Sequence, residues 1–314
     1  MKLICLSDMH LVGDNPIGRI DNLIVTQFIK LSQIVDFIKA HPNDVFHTLQ
    51  AGDFTDKPRS WLLLSLLVSF FKRTKMHFFC VRGQHDSYMN NEDSNAKTIL
   101  GLLSKVGYVS ILNQTIPFIL GNKVHVYGTS YEKTFPKTIK EEGFYNILVI
   151  HAPIAQKPLF EGHVHFDAYK FLKEYIEFDL ILCGDIHREF CIVDHGRVIL
   201  NTGPMLRKDA EEYSFTHEPK FYLLHIDEDK GKLLNIDTIK FMCSPAEEIL
   251  SRKHIENKIE AETILSSFIA TMKSDFKVEA NFDANLANFI RENKINDDVI
   301  RIIGQIKDSC ERRE

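Results

Sequence analysis

The chain has 314 residues, a formal net charge of −5 and a content of apolar, aromatic and charged residues that is ordinary for a globular protein. This length accommodates one large domain and a smaller one. The negative charge excludes a general attraction to nucleic acid or anionic membranes, although a metal site and local basic clusters can still bind phosphates. The longest apolar run, 61–71, is too short to span a bilayer, and the run at 3–6 stops at Asp8, too early for a signal-peptide core. We therefore expect a cytoplasmic protein without a membrane segment.

Predicted strands and helices alternate along the first part of the chain. Short apolar runs indicate buried strands, and apolar side chains three and four residues apart indicate helices. The predicted strands cover 2–7, 45–50, 76–81 and 109–112, and the predicted helices cover 23–40, 60–72 and 95–106. Strand, helix, strand is the beginning of a layered α/β sheet.

The later part of the chain contains hairpins and then a helical end. Gly121-Asn122 is a two-residue hairpin signal, and we expect an antiparallel second sheet from there onwards. Further strands are predicted at 146–150 and 180–183, hairpins at 190–200 and 221–241, and a helix at 166–175. After Pro245 the sequence is highly charged and helix-like, with a break near 276–283. We predict a two-sheet α/β domain over 1–242 and a helical cap or partner-docking region over 243–314.

Polar side chains that are typical metal ligands follow five of the predicted strands. Asp53 follows a buried strand, where its charge is costly unless a cation or hydrogen bonds compensate it, and we interpret it as the bridge between two metal ions. Asp8 and His10 are two residues apart, so in an extended segment both can point at one ion. The other strand ends carry Gln84 with His85, His151, and Asp185 with His187. Because active sites in open α/β sheets gather at the carboxyl ends of strands, these segments predict one shared site.

Each of these motifs has an ordinary explanation when it is taken alone. Gly-Asp pairs are common in turns, and Asp86 is equally suited to cap a helix. A second Gly-x-x-His match at 162–165 follows a proline-containing loop, so we choose 184–187, which follows a strand, and interpret His163 and His165 as exposed loop residues. Oxygen and imidazole ligands without thiolate suit manganese, iron or magnesium, and zinc less exclusively.

The order of the five segments resembles the signature of the calcineurin-like metallophosphoesterases over about residues 1–205. This resemblance implies an αββα sandwich of two sheets with a small helical appendage, and it implies two divalent metal ions. The first ion would be held by Asp8, His10, Asp53 and His187, and the second by Asp53, Gln84, His151 and Asp185. In the family scheme His85 is not a ligand. It steers the phosphate or protonates the leaving oxygen, whereas Asp56 and Asp86 orient neighbouring groups.

Two positions depart from the family pattern. Gln84 stands where asparagine is expected, and Asp185 stands where the first histidine of the last motif is expected. Both departures fall on the second ion, and they give it a harder, more anionic set of ligands. We therefore expect manganese or magnesium there, with looser selectivity for zinc, and the opposing interpretation is a second site that binds weakly.

Within this family the chain is most similar to the SbcD-type DNA repair nucleases and their phage relatives. The likeness rests on Asn15-Pro16 with Arg19-Ile20-Asp21, on the Gly203-Pro204 turn and on the C-terminal appendage. It implies a manganese-dependent DNA exonuclease or endonuclease. The implied partners are DNA, an SbcC-like coiled-coil ATPase and a second copy of the chain, with the helices after Pro245 as a docking element or a packing cap.

Two other functions remain open from the sequence. One is a phosphodiesterase or phosphatase that acts on a nucleotide or other small phosphoester at the same site. The other is a non-enzymatic scaffold that has lost the second ion through Gln84 and Asp185. A basic groove with arginines such as Arg19 and Arg207 would favour DNA, and a closed pocket would favour the small molecule.

Overall fold

The computed structural model describes residues 1–88, 92–131, 133–136, 143–274 and 282–311. In these ranges the strands are β1 (Lys2–Leu6), β2 (Phe46–Gln50), β3 (Phe78–Cys80), β4 (Val109–Ile111), β5 (Phe118–Leu120), β6 (Val124–Thr129), β7 (Tyr145–His151), β8 (Ile154–Ala155), β9 (Phe166–Asp167), β10 (Leu180–Gly184), β11 (Phe190–Asp194), β12 (Arg197–Asn201), β13 (Lys220–Asp227) and β14 (Lys232–Lys240). The helices are α1 (Leu23–Lys39), α2 (Trp61–Thr74), α3 (Ile99–Lys105), α4 (Ala168–Glu174), α5 (Glu212–Thr216), α6 (Ala246–Ile249), α7 (Lys253–Ser274), α8 (Phe282–Glu292) and α9 (Asp297–Glu311). The predicted break near 276–283 falls largely outside the described residues.

The first two long helices begin where the sequence supplies a capping side chain. The Asn22 side chain accepts a hydrogen bond from the backbone N–H of Val25 at the start of α1, and Ser60 does the same for Leu63 at the start of α2. These bonds satisfy N–H groups that have no partner within the helix. The α2 helix ends at Lys75, which takes a left-handed conformation with φ 60°. The observed ends of α2 therefore differ by at most two residues from those of the predicted helix, 60–72.

The strands form two six-stranded sheets. The first has the order β14-β13-β1-β2-β3-β4. In it β1 to β4 are parallel to one another, β13 is antiparallel to β1, and β14 is antiparallel to β13. The second has the order β11-β12-β10-β7-β6-β5, in which β12, β10, β7 and β6 are parallel. The expectation of an antiparallel second sheet is wrong. The Gly121-Asn122 hairpin pairs β5 with β6 in an antiparallel manner at one edge of the sheet. The following strands β7 and β10 are parallel to β6, and α4 lies in the connection between β7 and β10.

Both faces of the parallel strands are buried, so they appear in the sequence as continuous apolar runs. In β1, Leu3 and Cys5 pack into the core between the two sheets, whereas Ile4 and Leu6 pack on the opposite face against the α1 and α2 side chains. The β7 strand alternates in the same way between the inter-sheet core and α4. The layers are therefore helix, sheet, sheet, helix, and the predicted αββα sandwich is confirmed.

The C-terminal helices enclose an apolar cluster of their own, made of Ala261, Phe268, Leu286, Val299 and Ile303. Backbone hydrogen bonds join the start of this region to the main body: Ser251 N–H donates to the Gly18 carbonyl at 2.9 Å, and Ile20 N–H donates to the Ile249 carbonyl at 3.1 Å. The helical C-terminal region is thus present, and its division from the rest at residue 243 stays a prediction. In the part of the chain that is described, no helix combines the length and apolar character needed to cross a bilayer.

Two leucines in different environments test this layering. Leu182 in β10 is fully buried in the inter-sheet core, whereas Leu234 in β14 is 64 % exposed. Replacing a buried leucine with alanine removes its burial and leaves a cavity, so we expect Leu182→Ala to lower the free energy of unfolding by about 2–5 kcal/mol. Leu234→Ala should change it by less than about 0.5 kcal/mol. Chemical denaturation measures both, and similar losses would contradict the assigned core.

Candidate metal centre

The register of the two sheets brings the polar strand ends together. In the first sheet Gln50 pairs with Leu6 on one side and Cys80 on the other, so β1, β2 and β3 end level with one another. In the second sheet His151 pairs with Gly184, which aligns the ends of β7 and β10. The five segments that follow these strands therefore share one edge of the sandwich, as the sequence predicts.

Hydrogen bonds between the segments fix this convergence. His10 N–H donates to the Asp53 carbonyl at 2.9 Å within the first sheet. Asp185 N–H donates to Oδ1 of Asp8 at 2.9 Å, which ties the second sheet to the first. The first bond joins two backbone groups and the second orients the Asp8 carboxylate, so both help to position the candidate ligands.

Asp53 occupies the centre of the arrangement. Its Oδ2 atom lies 3.6 Å from Nε2 of His10 and 3.5 Å from Nε2 of His151, and its Oδ1 accepts the backbone N–H of His85 at 2.9 Å. Oδ2 is buried and has no hydrogen-bond partner in the described part of the chain. Its place between two imidazoles is the one that a bridging carboxylate needs, and the bridging role itself stays a prediction.

The predicted ligands of the first ion lie close together. Nε2 of His10 is 3.0 Å from Nε2 of His187, which in turn is 3.9 Å from Oδ1 of Asp8. Nδ1 of His10 is 3.4 Å from a carboxylate oxygen of Asp56, which favours a proton on Nδ1 and leaves the Nε2 lone pair available. Burial lowers the pKa of His10, so the neutral, metal-binding form is favoured further.

The predicted ligands of the second ion also meet. Nδ1 of His151 lies 2.7 Å from the Ala51 carbonyl oxygen and must donate to it, so Nε2 is the remaining ligand atom. That Nε2 is 2.7 Å from Oε1 of Gln84 and 3.7 Å from Oδ1 of Asp185. The Gln84 amide nitrogen donates to Asp185 at 2.7 Å. The two residues that depart from the family pattern therefore contact each other.

The charge in this cluster demands a cation. Burial lowers the pKa of His151, but the carboxylates of Asp53, Asp8 and Asp185 outweigh burial and raise this pKa to about 10. In the absence of metal a proton on His151 thus compensates part of the negative charge. Oδ2 of Asp8, like Oδ2 of Asp53, is buried without a hydrogen-bond partner in the described residues. Unpaired buried carboxylate oxygens are costly, and hard oxygen and imidazole donors at this spacing fit divalent cations.

The backbone at the candidate ligands is strained. Asp8, His10, Asp53 and Asp185 have φ values of 45°, 43°, 50° and 98°, all in the left-handed region that favours glycine. Each such conformation costs on the order of 1–3 kcal/mol and persists only where surrounding contacts enforce it. Hydrogen bonds between the segments, such as that from His10 N–H to the Asp53 carbonyl, hold this backbone in place.

Two motif glycines allow the segments to approach. A Cβ atom on Gly52, where φ is 84°, would lie 2.2 Å from Nδ1 of His151. A Cβ atom on Gly83 would lie 2.0 Å from Oδ1 of Asp53. Neither clash could be relieved without moving a candidate ligand, so the glycines are required for close packing of the site.

Asp86 links two of the loops. Its carboxylate accepts hydrogen bonds from the N–H groups of Phe54, Thr55 and Gly83 and from the Thr55 hydroxyl. Burial and the nearby charge of Asp53 raise the pKa of Asp86 to about 6, although the backbone donors act in the opposite direction. Of the two interpretations of Asp86, these contacts favour the orienting role, because the carboxylate holds the Asp53 loop against the His85 turn.

His85 stands at the mouth of the site. Its Nδ1 lies 2.8 Å from the Asp56 carbonyl oxygen, which leaves Nε2 for a substrate, and the side chain is 40 % exposed. The Asp56 carboxylate accepts a bond from Nζ of Lys208 at 2.6 Å. Burial raises the pKa of Asp56, but His10 and Lys208 outweigh burial and hold it below its usual range. The sequence does not predict this contact of Lys208, although the position of Lys208 shortly after the Gly203-Pro204 turn is a signal that points to the site.

The arginines considered for a DNA groove have structural roles. The Arg19 guanidinium is buried against Asp21 and the Arg207 carbonyl, and the Arg207 guanidinium donates to the His217 and Ser244 carbonyls. Neither guanidinium is available to a substrate, so the expectation that Arg19 and Arg207 contribute to a basic groove for DNA is wrong.

The second Gly-x-x-His segment does not join the candidate site. His163 and His165 are half-buried and stack on each other with ring centroids 5.1 Å apart. The groups of candidate ligands found among the described residues combine Asp8, His10, Asp53, His85, His151 and His187.

The fold and the candidate ligands agree with a family of metal-dependent phosphoesterases. The sequence model of the calcineurin-like phosphoesterases matches residues 1–189, more than half of the chain. The chain belongs to this family, whose members typically bind two divalent metal ions. No curated protein matches the chain.

Solved structures of low sequence identity align with most of this chain. A putative 5'-nucleotidase from Staphylococcus aureus aligns with a TM-score of 0.50 and 14 % identity over 78 % of this chain and 55 % of its own. A 5'-nucleotidase from Candida albicans gives 0.46 and 14 % over 77 % and 52 %. An archaeal phosphodiesterase gives 0.42 and 12 % over 77 % and 100 %. The chain spans about half the length of the two nucleotidases, and at these identities the likeness concerns the fold alone.

The loop contacts of Asp86 predict a large loss of stability on truncation. Asp86→Ala leaves buried N–H groups of Phe54, Thr55 and Gly83 without an acceptor, so we expect the free energy of unfolding to fall by about 3 kcal/mol or more. Asp167→Ala, which removes the N-cap of α4, is the matched control and should cost about 1 kcal/mol. Denaturant unfolding measures the loss in both variants, and equal losses of unfolding free energy would refute the role of Asp86 in linking the two loops.

Metal binding should depend on pH through His151. The pKa of this residue is raised from 6.5 to about 10, so its proton stabilises the metal-free fold below pH 6.5 and is lost as the pH rises through 10. A divalent ion must displace this proton. We therefore expect the Mn²⁺ affinity to increase by up to about tenfold per pH unit between pH 7 and 9 in titration calorimetry. His151→Gln should remove most of this slope, and an affinity of the wild type that does not change with pH would contradict the assignment.

Proposed function

We propose that this protein is a two-metal phosphodiesterase that cleaves DNA, of the SbcD type and with manganese as its metal. The observation that carries the proposal is the position of Asp53, whose unpaired Oδ2 lies between His10 and His151 beneath the exposed ring of His85. A site built on one shared carboxylate suits two adjacent cations, and two cations suit the displacement at a phosphodiester.

The side chains divide the chemistry among themselves. Two divalent ions, when bound, supply charge stabilisation at the phosphoryl oxygens and an activated water. Asp8, Asp53 and Asp185 provide the negative charge that retains cations at this edge. His85 is placed to orient the phosphate or to protonate the leaving oxygen, because the Asp56 carbonyl fixes its Nδ1 and its Nε2 remains free to act.

The surroundings of the site favour a long substrate. On one side, a cleft is lined by His10 and His187 together with Arg188 and Lys208. On the other side, a groove of about 620 Å³ contains Arg82 and Lys133 among its lining residues. Asp209 and Glu211 also line the cleft, so the excess of positive charge lies in the groove. Positive charge beside a reacting phosphate suits a strand that continues past it, and this supports DNA as the substrate.

The second candidate is a phosphodiesterase or phosphatase for a nucleotide or other small phosphoester. The volume of the groove, about 620 Å³, favours it because pockets for small ligands have a similar size. Both candidates use the same metal centre, so the size of the preferred substrate separates them.

We further propose that the C-terminal helices dock a coiled-coil ATPase of the SbcC kind. This proposal is supported by the separate apolar cluster of α7, α8 and α9 and by apolar side chains that they expose, such as Ile259 and Phe282. Association with a second copy of the chain stays a prediction.

Digestion of end-labelled single-stranded and duplex DNA with Mn²⁺ tests the activity. We expect wild type to cleave, His85→Ala to keep its bound metal and lose about 100-fold or more in rate, and Asp53→Ala to lose both metal and cleavage. His163→Ala, in an exposed loop, is the matched histidine control and should cleave normally. Full activity of His85→Ala would refute the role of His85.

Metal titration separates the enzyme from a scaffold. We expect two Mn²⁺ ions per wild-type chain together with hydrolysis of a generic phosphodiester. One bound ion and no hydrolysis of that diester would support the scaffold that has lost the second site.

A further inference from the structure

A polar groove adjoins the metal centre on the side of Gln84. It lies between the carboxyl ends of β3, β4 and β6, and its lining includes Arg82, Gly83, Gln114 and Tyr131. Gly83 also approaches Asp53 so closely that a Cβ atom there would contact the Asp53 carboxylate at 2.0 Å. The groove therefore opens directly beside the bridging carboxylate.

Arg82 lines this groove and has one guanidinium nitrogen without a hydrogen-bond partner in the described residues. Its backbone is fixed, since its N–H donates to the Ser130 hydroxyl at 3.1 Å and its carbonyl accepts the Tyr131 N–H at 2.9 Å. Its Nε atom is buried, yet it has no hydrogen-bond partner within the described ranges. A buried donor without a partner is costly, and a guanidinium satisfies this cost best by pairing with a phosphate or carboxylate.

Two further side chains of the groove suit a nucleobase. Oε1 of Gln114 is buried and, like Arg82 Nε, lacks a partner in the described part of the structure, so it can accept a bond from a base or sugar. The Tyr131 ring lies 6.1 Å from that of His151 and forms a wall between groove and metal centre. Aromatic rings in such positions stack on unpaired bases.

We propose that this groove is a subsite for the nucleotide next to the scissile phosphodiester, with Arg82 pairing with its phosphate and Gln114 and Tyr131 contacting its base. This inference rests on the proposed phosphodiesterase function and deepens it. It assigns an oligonucleotide, in place of an isolated phosphoester, as the substrate that the site is built to hold.

Binding of a fluorescent single-stranded oligonucleotide in metal-free buffer, measured by anisotropy, tests the subsite without relying on catalysis. We expect Arg82→Ala to weaken binding by about tenfold or more, because a charge-assisted pair is lost, and Arg82→Lys to retain part of the affinity. Arg197→Ala is the matched control. This half-buried arginine also has an unpaired guanidinium atom in the described residues, and it lies at the start of β12, which is separated from β6 by β10 and β7 in the second sheet. Equal binding by wild type and Arg82→Ala would overturn the subsite.

Hydrolysis with Mn²⁺ completes the test. The KM for the oligonucleotide should rise by about tenfold in Arg82→Ala, whereas hydrolysis of bis(4-nitrophenyl) phosphate, which has no neighbouring nucleotide, should be unchanged. An equal loss on both substrates would show that Arg82 serves the metal centre itself and would overturn the subsite. If wild type hydrolyses neither substrate, the proposed function fails, and the anisotropy result still decides the subsite by itself.

Discussion

The structure depends on the negative charge that is gathered at one edge of the sandwich. Asp8 and Asp53 are fully buried, Asp185 lies beside them, and both buried residues have a carboxylate oxygen without a hydrogen-bond partner in the described residues. A fold does not retain such a group of charges for stability, because each unpaired oxygen costs free energy. Burial lowers the pKa of His151, and these carboxylates outweigh burial and raise it to about 10, which reflects the same concentration of negative charge.

Much of the local architecture keeps these charges in place. The left-handed backbone at Asp8, His10 and Asp53 costs free energy, and the hydrogen bonds of Asp86 hold the loop that contains Asp53. The buried strands beneath them provide the stability that offsets these costs.

The sequence predicts the alternating strands and helices and the polar strand ends from local patterns, whereas the αββα sandwich and the two ligand sets follow from the family resemblance. Apolar runs that end in Asp53, His151 or His187 place polar side chains at the ends of buried strands. The direction of the second sheet was predicted wrongly, because the Gly121-Asn122 signal specifies one hairpin and carries no information about the long return of β7. Contacts between segments that are distant in the chain could not be predicted either. Neither the burial of Arg19 nor the exposure of Arg82 to a groove leaves a pattern in the chain.

The most direct test of a shared metal centre is diffraction from crystals soaked in MnCl₂, recorded at the manganese absorption edge. A shared metal centre predicts two anomalous peaks about 3.5–4 Å apart, with one oxygen of Asp53 between them. A single peak remote from Asp53, or two peaks that share no ligand, would contradict it.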